Sequence, residues 1–148
     1  MSEGHTKSQD WKPDDSVIEG RGAAQRIRSA LRKRRIEVKD RVITSRDPGM
    51  DEVREAMRRK DMPPGFQSWQ IPVVLEDGPT IIFLTVAEPG ATVPTHTHKR
   101  DLFRLVVSGS IITNGIELKA GDWMFVPSGT AYSYSAALNP GAVTYHCY

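Results

Sequence analysis

From residue 66 onward the chain consists of short apolar or aromatic segments separated by tight-turn sequences, with no helical periodicity between them. The turn sequences combine glycine with proline or a polar residue; they are Asp77-Gly78-Pro79, Glu88-Pro89-Gly90, Asn114-Gly115, Pro127-Ser128-Gly129 and Asn139-Pro140-Gly141. Regularly spaced glycine and proline without intervening helices is typical of antiparallel sandwiches and barrels. We therefore expect an all-β fold, an antiparallel β-barrel, in this part of the chain.

The segments between the turns are rich in β-branched and aromatic residues and have the usual length of strands. They cover residues 71–75, 81–86, 102–107, 111–113, 123–126, 131–135 and 142–148. Asn114-Gly115 is the strongest hairpin signal, because both central residues of a type I′ turn need positive φ. The sequence therefore predicts a hairpin at this dipeptide and short strands along the rest of the barrel.

The part of the chain before the barrel divides into two regions. Residues 1–20 are polar with little apolar periodicity, and we expect them to form a mobile N-terminal arm. Residues 21–62 carry apolar residues at helical spacing and many arginines, which predicts a basic helical extension. Residues 63–148 then form the barrel domain.

Two helices are predicted within the extension. From Gly22 onward apolar residues recur at helical spacing among arginines, which indicates an amphipathic helix with a basic outer face. A second apolar pattern starts at Met50 and is ended by Pro63-Pro64-Gly65. Between the helices, residues 36–43 are expected to begin an extended segment.

The formal net charge of +2 is unevenly distributed. Residues 1–62 hold 16 Lys or Arg and 12 Asp or Glu, whereas residues 63–148 hold 4 and 6. Much of the basic excess lies between residues 26 and 41. A solvated helix face accounts for these charges, and the role of the segment stays open. A uniformly basic surface for nucleic acid is not expected, and no helix-turn-helix or RNA-binding motif accompanies the segment. A nucleic-acid contact by residues 26–41, with the barrel as a ligand-responsive or dimerising module, is the less favoured alternative.

The single cysteine, Cys147, excludes an internal disulfide and cysteine-rich zinc sites. Any metal must therefore be held by histidine, carboxylate or tyrosine. No window approaches the roughly 18 consecutive apolar residues of a membrane span. Residues 1–5 also lack the basic and apolar regions of a secretory signal. We expect a cytoplasmic protein with no membrane partner.

Two of the four histidines, His96 and His98, lie two residues apart on a segment expected to be extended. Side chains at this spacing point to the same face of a strand, so both imidazoles can bind one ion. Imidazole suits Fe, Mn, Ni, Cu and Zn, and the metal identity stays open. Alone, the pattern is a weak signal, because neighbouring histidines are more often surface or packed residues.

The residues around this pair resemble the two sequence motifs of the cupin superfamily. The first motif, G(x)5HxH(x)3–4E(x)6G, is matched by Gly90, His96, His98 and Gly109. The second motif, G(x)5PxG(x)2H(x)3N, is matched by Gly121, Pro127 and Gly129. The resemblance implies a small barrel of the jelly-roll type. It also implies metal-dependent oxygenase, isomerase, lyase or cyclase chemistry on small organic molecules.

The motif positions that carry the family's other metal ligands hold different residues here. Leu102 stands in place of the glutamate, Tyr132 in place of the third histidine and Ala136 in place of the asparagine. Catalytic metal sites generally have three or more protein ligands, so a third ligand is expected. The candidates are Tyr132, His146 and Asp101. Tyr132 has two alternative roles, as a neutral hydrogen-bond donor or as barrel lining.

Arg104 is expected to share the inward face of Leu102, since the two are separated by the strand period. A guanidinium in the barrel can bind a carboxylate or enolate oxygen of a ligand. The alternatives are a position at the barrel mouth or a contact between two subunits.

We therefore expect a metal-binding enzyme that acts on a small organic molecule inside the barrel. The expected metal ligands are His96, His98 and His146, and the expected catalytic residues are Tyr132 and Arg104. The alternative is a non-catalytic ligand-binding or sensory barrel that has lost its metal. The resemblance also implies that the helices pack on the barrel or across a homodimer.

Overall fold

The computed structural model describes residues 11–14, 20–75 and 81–148. Most of the predicted arm, and the predicted turn at 77–79, lie outside these ranges. Two helices come first, α1 (Gly20–Lys33) and α2 (Met50–Ala56). The strands that follow are β1 (Phe66–Gln70), β2 (Ile82–Ala87), β3 (Thr92–His96), β4 (Leu102–Thr113), β5 (Ile116–Lys119), β6 (Trp123–Val126), β7 (Tyr132–Ala136) and β8 (Ala142–Cys147).

The strands form one curled antiparallel sheet. Neighbouring strands pair in the order β1-β2-β8-β4-β7-β3, and β5 and β6 also pair with β4. The resulting half-barrel confirms the predicted all-β architecture. The predicted hairpin at Asn114-Gly115 is also confirmed, because Thr113 faces Ile116 across it.

β4 is the longest strand and is shared by both halves of the half-barrel. Its first half pairs with β6 and β8, and its second half pairs with β5 and β7. The register with β8 shifts between Val106 and Ser108, next to Gly109 at φ +67°. A Cβ on Gly109 would collide with the carbonyl of Gly141, so glycine permits the close approach. The strands predicted at 102–107 and 111–113 are therefore one continuous strand.

The first strand occupies Phe66–Gln70, and the strand predicted at residues 71–75 is wrong. Ser68 and Gln70 are buried, so the inward face of β1 is partly polar and its alternation of apolar residues is weak. The ladder with β2 continues to Ile71, whose N–H donates to the Ile82 carbonyl at 2.7 Å, and then stops. The Val73 N–H instead donates to the Ile71 carbonyl at 2.8 Å.

The helical extension also differs from its prediction. α2 ends at Ala56 rather than near Pro63 because the chain after it joins the edge of β1. There the Met57 carbonyl accepts from the Gln70 N–H at 3.0 Å, and the Arg59 N–H donates to the Ser68 carbonyl at 2.8 Å.

The segment predicted to be extended at residues 36–43 forms no strand. The chain leaves α1 through Arg35, which has positive φ. The Ile36 N–H then donates to the Leu31 carbonyl at 3.0 Å, which closes the end of the helix. Ile36 is thereby buried between the two helices, where the sequence predicts an extended segment.

Three apolar clusters stabilise the described chain, and the smallest consists of Ala23, Ile81 and Phe83. The helical cluster includes Ile27, Leu31, Met50, Val53 and Met57. The barrel cluster includes Phe66, Val93, Val106, Ile111 and Tyr134. The barrel cluster fills one end of the interior and leaves the other end to polar side chains. Within the described ranges, no helix has both the length and the apolar character needed to cross a membrane.

Candidate functional site

The inward face of the sheet consists of three rows that run across β1, β2, β8 and β4. The apolar row contains Phe66, Ala87 and Ala142, and the hydroxyl row contains Ser68, Thr85 and Thr144. The Arg104 row contains Gln70, Phe83, His146 and Arg104. All ten side chains are buried. Polar groups that are deeply buried together in this way are typical of binding sites.

His96 and His98 face these rows from β3 and the loop that follows it. His96 ends β3 opposite Tyr132, and the Gly129 N–H ties down the His98 carbonyl at 2.8 Å. His96 Nδ1 lies 2.7 Å from the carbonyl oxygen of Pro94. A carbonyl only accepts, so the proton is on Nδ1 and the lone pair of the neutral ring is on Nε2. This Nε2 lies 3.1 Å from His98 Nε2.

Two tyrosine hydroxyls converge on the same nitrogen. The hydroxyl oxygens of Tyr132 and Tyr148 lie 3.4 and 3.3 Å from His98 Nε2. Burial raises the pKa of Tyr132 to about 12, although the nearby Arg104 partly opposes the shift. Tyr132 is therefore a neutral phenol near pH 7 and can donate a hydrogen bond. The sequence prediction missed Tyr148, whose spacing of two from His146 places both on one face of the last strand.

His146 contacts the ring of Tyr148 edge-on, with centroids 5.5 Å apart. Its Nδ1 is 3.5 Å from Thr85 Oγ1, which donates to Ser68 Oγ at 3.0 Å. Its ring stacks on Phe83 with centroids 5.0 Å apart. Burial, followed by the charge of Arg104, lowers the pKa of His146 well below its ordinary value. His146 is therefore neutral at pH 7.

The described ranges contain no group of three His, Cys, Asp or Glu side chains able to hold a metal ion. His146 as the third ligand accordingly stays a prediction. Asp101, another candidate, is exposed and accepts the Ser128 N–H at 2.8 Å. This hydrogen bond from Ser128 to Asp101 stabilises the turn after β6. Cys147 alternates away from His146 along β8, and burial raises the pKa of its thiol.

Arg104 is buried in the barrel, with 4% of its surface exposed. One guanidinium nitrogen donates to Thr144 Oγ1 at 2.7 Å, and the group lies 4.6 Å from the ring centroid of Tyr134. None of the ion pairs in the described ranges involves Arg104, and its Nε has no hydrogen-bond partner there. Burial alone would lower the pKa of Arg104, but neighbouring tyrosines, Tyr134 foremost, raise it. The barrel thus holds a permanent cation that has no carboxylate partner among the described residues.

A short segment of the N-terminal region contacts His96. The Trp11 indole N–H donates to the Asp61 carbonyl at 2.6 Å, and the ring meets His96 edge-on at 5.1 Å. The Asp14 N–H donates to the carboxylate of Asp61 at 3.0 Å. Sequence reasoning missed Trp11, because the polar residues around it give no periodic pattern.

Comparison with known proteins reveals similarity at the level of structure. No protein-family model matches the chain, and no curated protein matches it in sequence. KdgF from Halomonas sp. is 25% identical, with a TM-score of 0.51 over 60% of this chain and 81% of KdgF. An RmlC-like cupin from Ralstonia eutropha is 20% identical, with a TM-score of 0.51 over 62% of this chain and 60% of that protein.

Oxalate decarboxylase from Bacillus subtilis has the same fold in part of its chain. It is 22% identical, with a TM-score of 0.50 over 61% of this chain and 26% of the decarboxylase. The similarities to the RmlC-like cupin and to oxalate decarboxylase show only that the fold is shared. The matched part of this chain is close in length to the barrel domain, residues 63–148.

Proposed function

We propose that this chain, a cupin-superfamily member by its structural similarity to KdgF, is a metal-binding enzyme acting on a small organic molecule inside its barrel. The observation that carries the proposal is the geometry of the histidine pair. The two Nε2 atoms lie 3.1 Å apart, which is close enough for both imidazoles to bind one metal ion.

The bond from His96 Nδ1 to Pro94 supports the same assignment. Metal-binding histidines usually donate their second ring N–H to a carbonyl or carboxylate, which fixes the tautomer and the ring orientation. Here the Pro94 carbonyl, at 2.7 Å, directs the lone pair of His96 towards His98. The donor set therefore fits a divalent metal such as Fe, Mn, Ni, Cu or Zn.

When bound, such an ion supplies a Lewis acid or a redox centre. His96 and His98 would hold it, and His146 is the proposed third ligand. The hydroxyls of Tyr132 and Tyr148 are an alternative source, since both lie within 3.4 Å of His98 Nε2. Because Tyr132 is neutral, its proposed catalytic role is to donate a hydrogen bond or a proton to substrate.

Arg104 defines the class of substrate. A buried guanidinium without a carboxylate partner in the described chain is an anion site, and a planar carboxylate or enolate fits its geometry. Thr144 and Tyr134 hold the guanidinium in place. We therefore propose a small carboxylate or enolate substrate, with oxygenase, isomerase, lyase or cyclase chemistry.

The second candidate is a non-catalytic barrel that binds a small ligand or senses it. The observation in its favour is Leu102, which is buried where the family's first motif carries a glutamate ligand. A barrel that has lost this carboxylate keeps Arg104 and can bind an anion without any metal.

Metal analysis of protein purified without chelator separates the two functions. We expect about one equivalent of metal per chain in the wild type and in the control Thr97→Ala, which lies exposed between the histidines. His96→Ala and His98→Ala should lose it. A partial loss in His146→Ala would support the third ligand. A content far below one equivalent that His96→Ala leaves unchanged would favour the non-catalytic barrel.

We also propose a homodimer, formed through the outer face of β6, β4 and β8. Exposed aromatic residues cover this face, with Trp123 at 60% and Phe125 at 53% exposure beside Phe103 and Tyr145. A patch of this kind with no charged residue is typical of a subunit interface. Light scattering of the wild type should give a dimer, and Trp123→Ser with Phe125→Ser should give a monomer. The cytoplasmic location stays a prediction.

A further inference from the structure

The indole ring of Trp11 packs against His96, although the two residues are far apart in the chain. The ring centroids lie 5.1 Å apart and the ring planes meet at 81°, so the contact is edge to face. Aromatic pairs favour this geometry. A residue of the N-terminal region therefore reaches the proposed metal centre directly.

The imidazole of His96 is packed by other rings as well. The ring centroid of Tyr132 lies 4.5 Å from that of His96, and the ring centroid of His98 lies 4.8 Å away. His96 is buried, and its Nδ1 donates to the Pro94 carbonyl at 2.7 Å. The bond to Pro94 opposes a flip of the imidazole, and the packed rings, that of Trp11 included, oppose its tilting. Together these contacts favour one orientation of the imidazole.

Trp11 is itself held in place from two directions. Its indole N–H donates to the Asp61 carbonyl at 2.6 Å, and its ring packs on the barrel cluster. The Asp14 N–H donates to the Asp61 carboxylate at 3.0 Å. That carboxylate also accepts from two nitrogens of Arg59, at 2.9 and 2.5 Å. Because these partners are fixed in turn, Trp11 can support the ring that it contacts.

The orientation of His96 matters because both imidazoles have to present a lone pair to the same ion. His96 Nε2 lies 3.1 Å from His98 Nε2. A ring that could turn freely would have to be ordered when the ion binds, which costs conformational entropy and lowers the affinity. Residues that orient a metal-binding histidine therefore raise the affinity of the site, typically by about 10–100-fold.

We propose that Trp11 is a positioning residue of the metal centre, and that its ring holds the His96 imidazole with Nε2 towards His98. The proposal rests on the metal-binding function proposed above. In it Trp11 binds neither metal nor substrate and acts through His96 alone. The two cupin motifs do not extend to Trp11, so this support comes from outside the sequence that carries the family resemblance.

Titration of the full chain with Co²⁺ after chelator treatment tests the proposal, because the visible absorption of bound Co²⁺ reports binding. Trp11→Ala removes the ring and should weaken Co²⁺ binding by about tenfold. Trp11→Phe keeps an aromatic edge and loses the N–H bond to Asp61, so its affinity should stay within about threefold of the wild type. Rescue by phenylalanine would support the ring as the group that holds His96.

The matched control is Lys12→Ala, an exposed neighbour of Trp11, which should bind Co²⁺ like the wild type. Urea unfolding shows which variants are folded. If Trp11→Ala does not fold, Trp11→Leu takes its place, because leucine keeps an apolar side chain against the barrel cluster. Equal affinity in the wild type and in the folded variant would overturn the proposal. A loss in Trp11→Phe as large as in Trp11→Ala would overturn it as well.

Ring ¹⁵N–¹H spectra of the histidines, recorded after chelator treatment, give a second readout that a loss of stability alone does not move. In the wild type His96 should be a single Nδ1–H tautomer. In Trp11→Ala its two ring nitrogens should move towards averaged chemical shifts, and His96→Ala identifies the signals. Unchanged His96 signals in Trp11→Ala would overturn the proposal.

Failure of the metal-binding function and failure of this proposal give different results. A wild type that takes up no Co²⁺ would refute the metal-binding function and the proposal with it. A wild type that binds Co²⁺, with equal affinity in folded Trp11→Ala, would refute the role of Trp11 alone.

Discussion

The apolar row and the Arg104 row lie on the same strands, yet they have opposite chemical character. Along β8 the inward residues change from Ala142 through Thr144 to His146, and along β1 they change from Phe66 to Gln70. All are buried, so exposure does not distinguish the two ends. The difference teaches that one end of the barrel interior stabilises the fold, whereas the other is available for binding.

The largest expected effect is at the apolar row. Phe66 is buried and packs edge-on against Tyr134, so Phe66→Ala should lower the free energy of unfolding by about 3–5 kcal/mol. Ser68→Ala, two residues along the same strand, removes one hydrogen-bonding hydroxyl and should cost about 1 kcal/mol. Urea unfolding measures both. Equal losses of unfolding free energy in the two variants would contradict the division of the interior into a stabilising end and a binding end.

The next effect concerns metal removal. A metal present at 100 times its Kd stabilises the folded state by about 2.7 kcal/mol, and chelation should remove this contribution from the wild type. His96→Ala should show no change on chelation, whereas the control Thr97→Ala should respond like the wild type. Thermal unfolding with and without chelator measures the difference. A chelator effect of the same size in His96→Ala would argue against this centre.

A smaller effect is expected at Asp61, which holds Trp11 beside His96. Burial raises the pKa of Asp61, but the hydrogen bonds and charge of Arg59 outweigh it, so that the pKa is lower than usual. The stabilisation is therefore present above the unfolded pKa of about 3.9 and is lost as the pH falls through the folded value.

Asp61→Asn should then cost about 1.5 kcal/mol at pH 7, since the lost bonds are charge-assisted. Below about pH 4 the wild type should lose the contribution of Asp61 to the free energy of unfolding, whereas Asp61→Asn has no such contribution to lose. Urea unfolding at several pH values between 7 and 2 measures both effects. A variant with the same acid profile as the wild type would show that the Asp61 carboxylate does not contribute.

The smallest change in stability is expected at Arg104. Its guanidinium is buried without a carboxylate partner in the described chain, so Arg104→Met removes a desolvated charge and keeps a side chain of similar length. The free energy of unfolding should stay within about 1 kcal/mol of the wild type, while binding of small carboxylates in the barrel is lost. A large loss of stability with unchanged carboxylate binding would make Arg104 a structural residue.

The sequence predicts the β-barrel well because its turns and β-branched segments are local signals. It fails at β1, where Ser68 and Gln70 take the inward positions that apolar residues usually hold. The run at residues 71–75 is more apolar, but the Val73 N–H donates back to the Ile71 carbonyl, so the ladder with β2 ends at Ile71. Local pattern therefore locates most strands and misplaces the one that carries polar residues inward.

The candidate site shows the same limit. The spacing of His96 and His98 marks the pair because two residues on one strand share a face. Trp11 and Tyr148 come close to this pair only through tertiary structure, from distant parts of the chain. No local period connects them to the histidines, so a single sequence does not reveal their contacts.

The position of β8 has a consequence for how the chain folds. This strand lies between β2 and β4, so the centre of the sheet is formed by the segment that is synthesised after both of its neighbours. Ile82 and Phe103 both face Cys147, across long stretches of chain. Folds dominated by such distant pairings fold slowly, typically in milliseconds to seconds. Until β8 pairs, β2 and β4 each expose an open ladder edge to which another chain can bind.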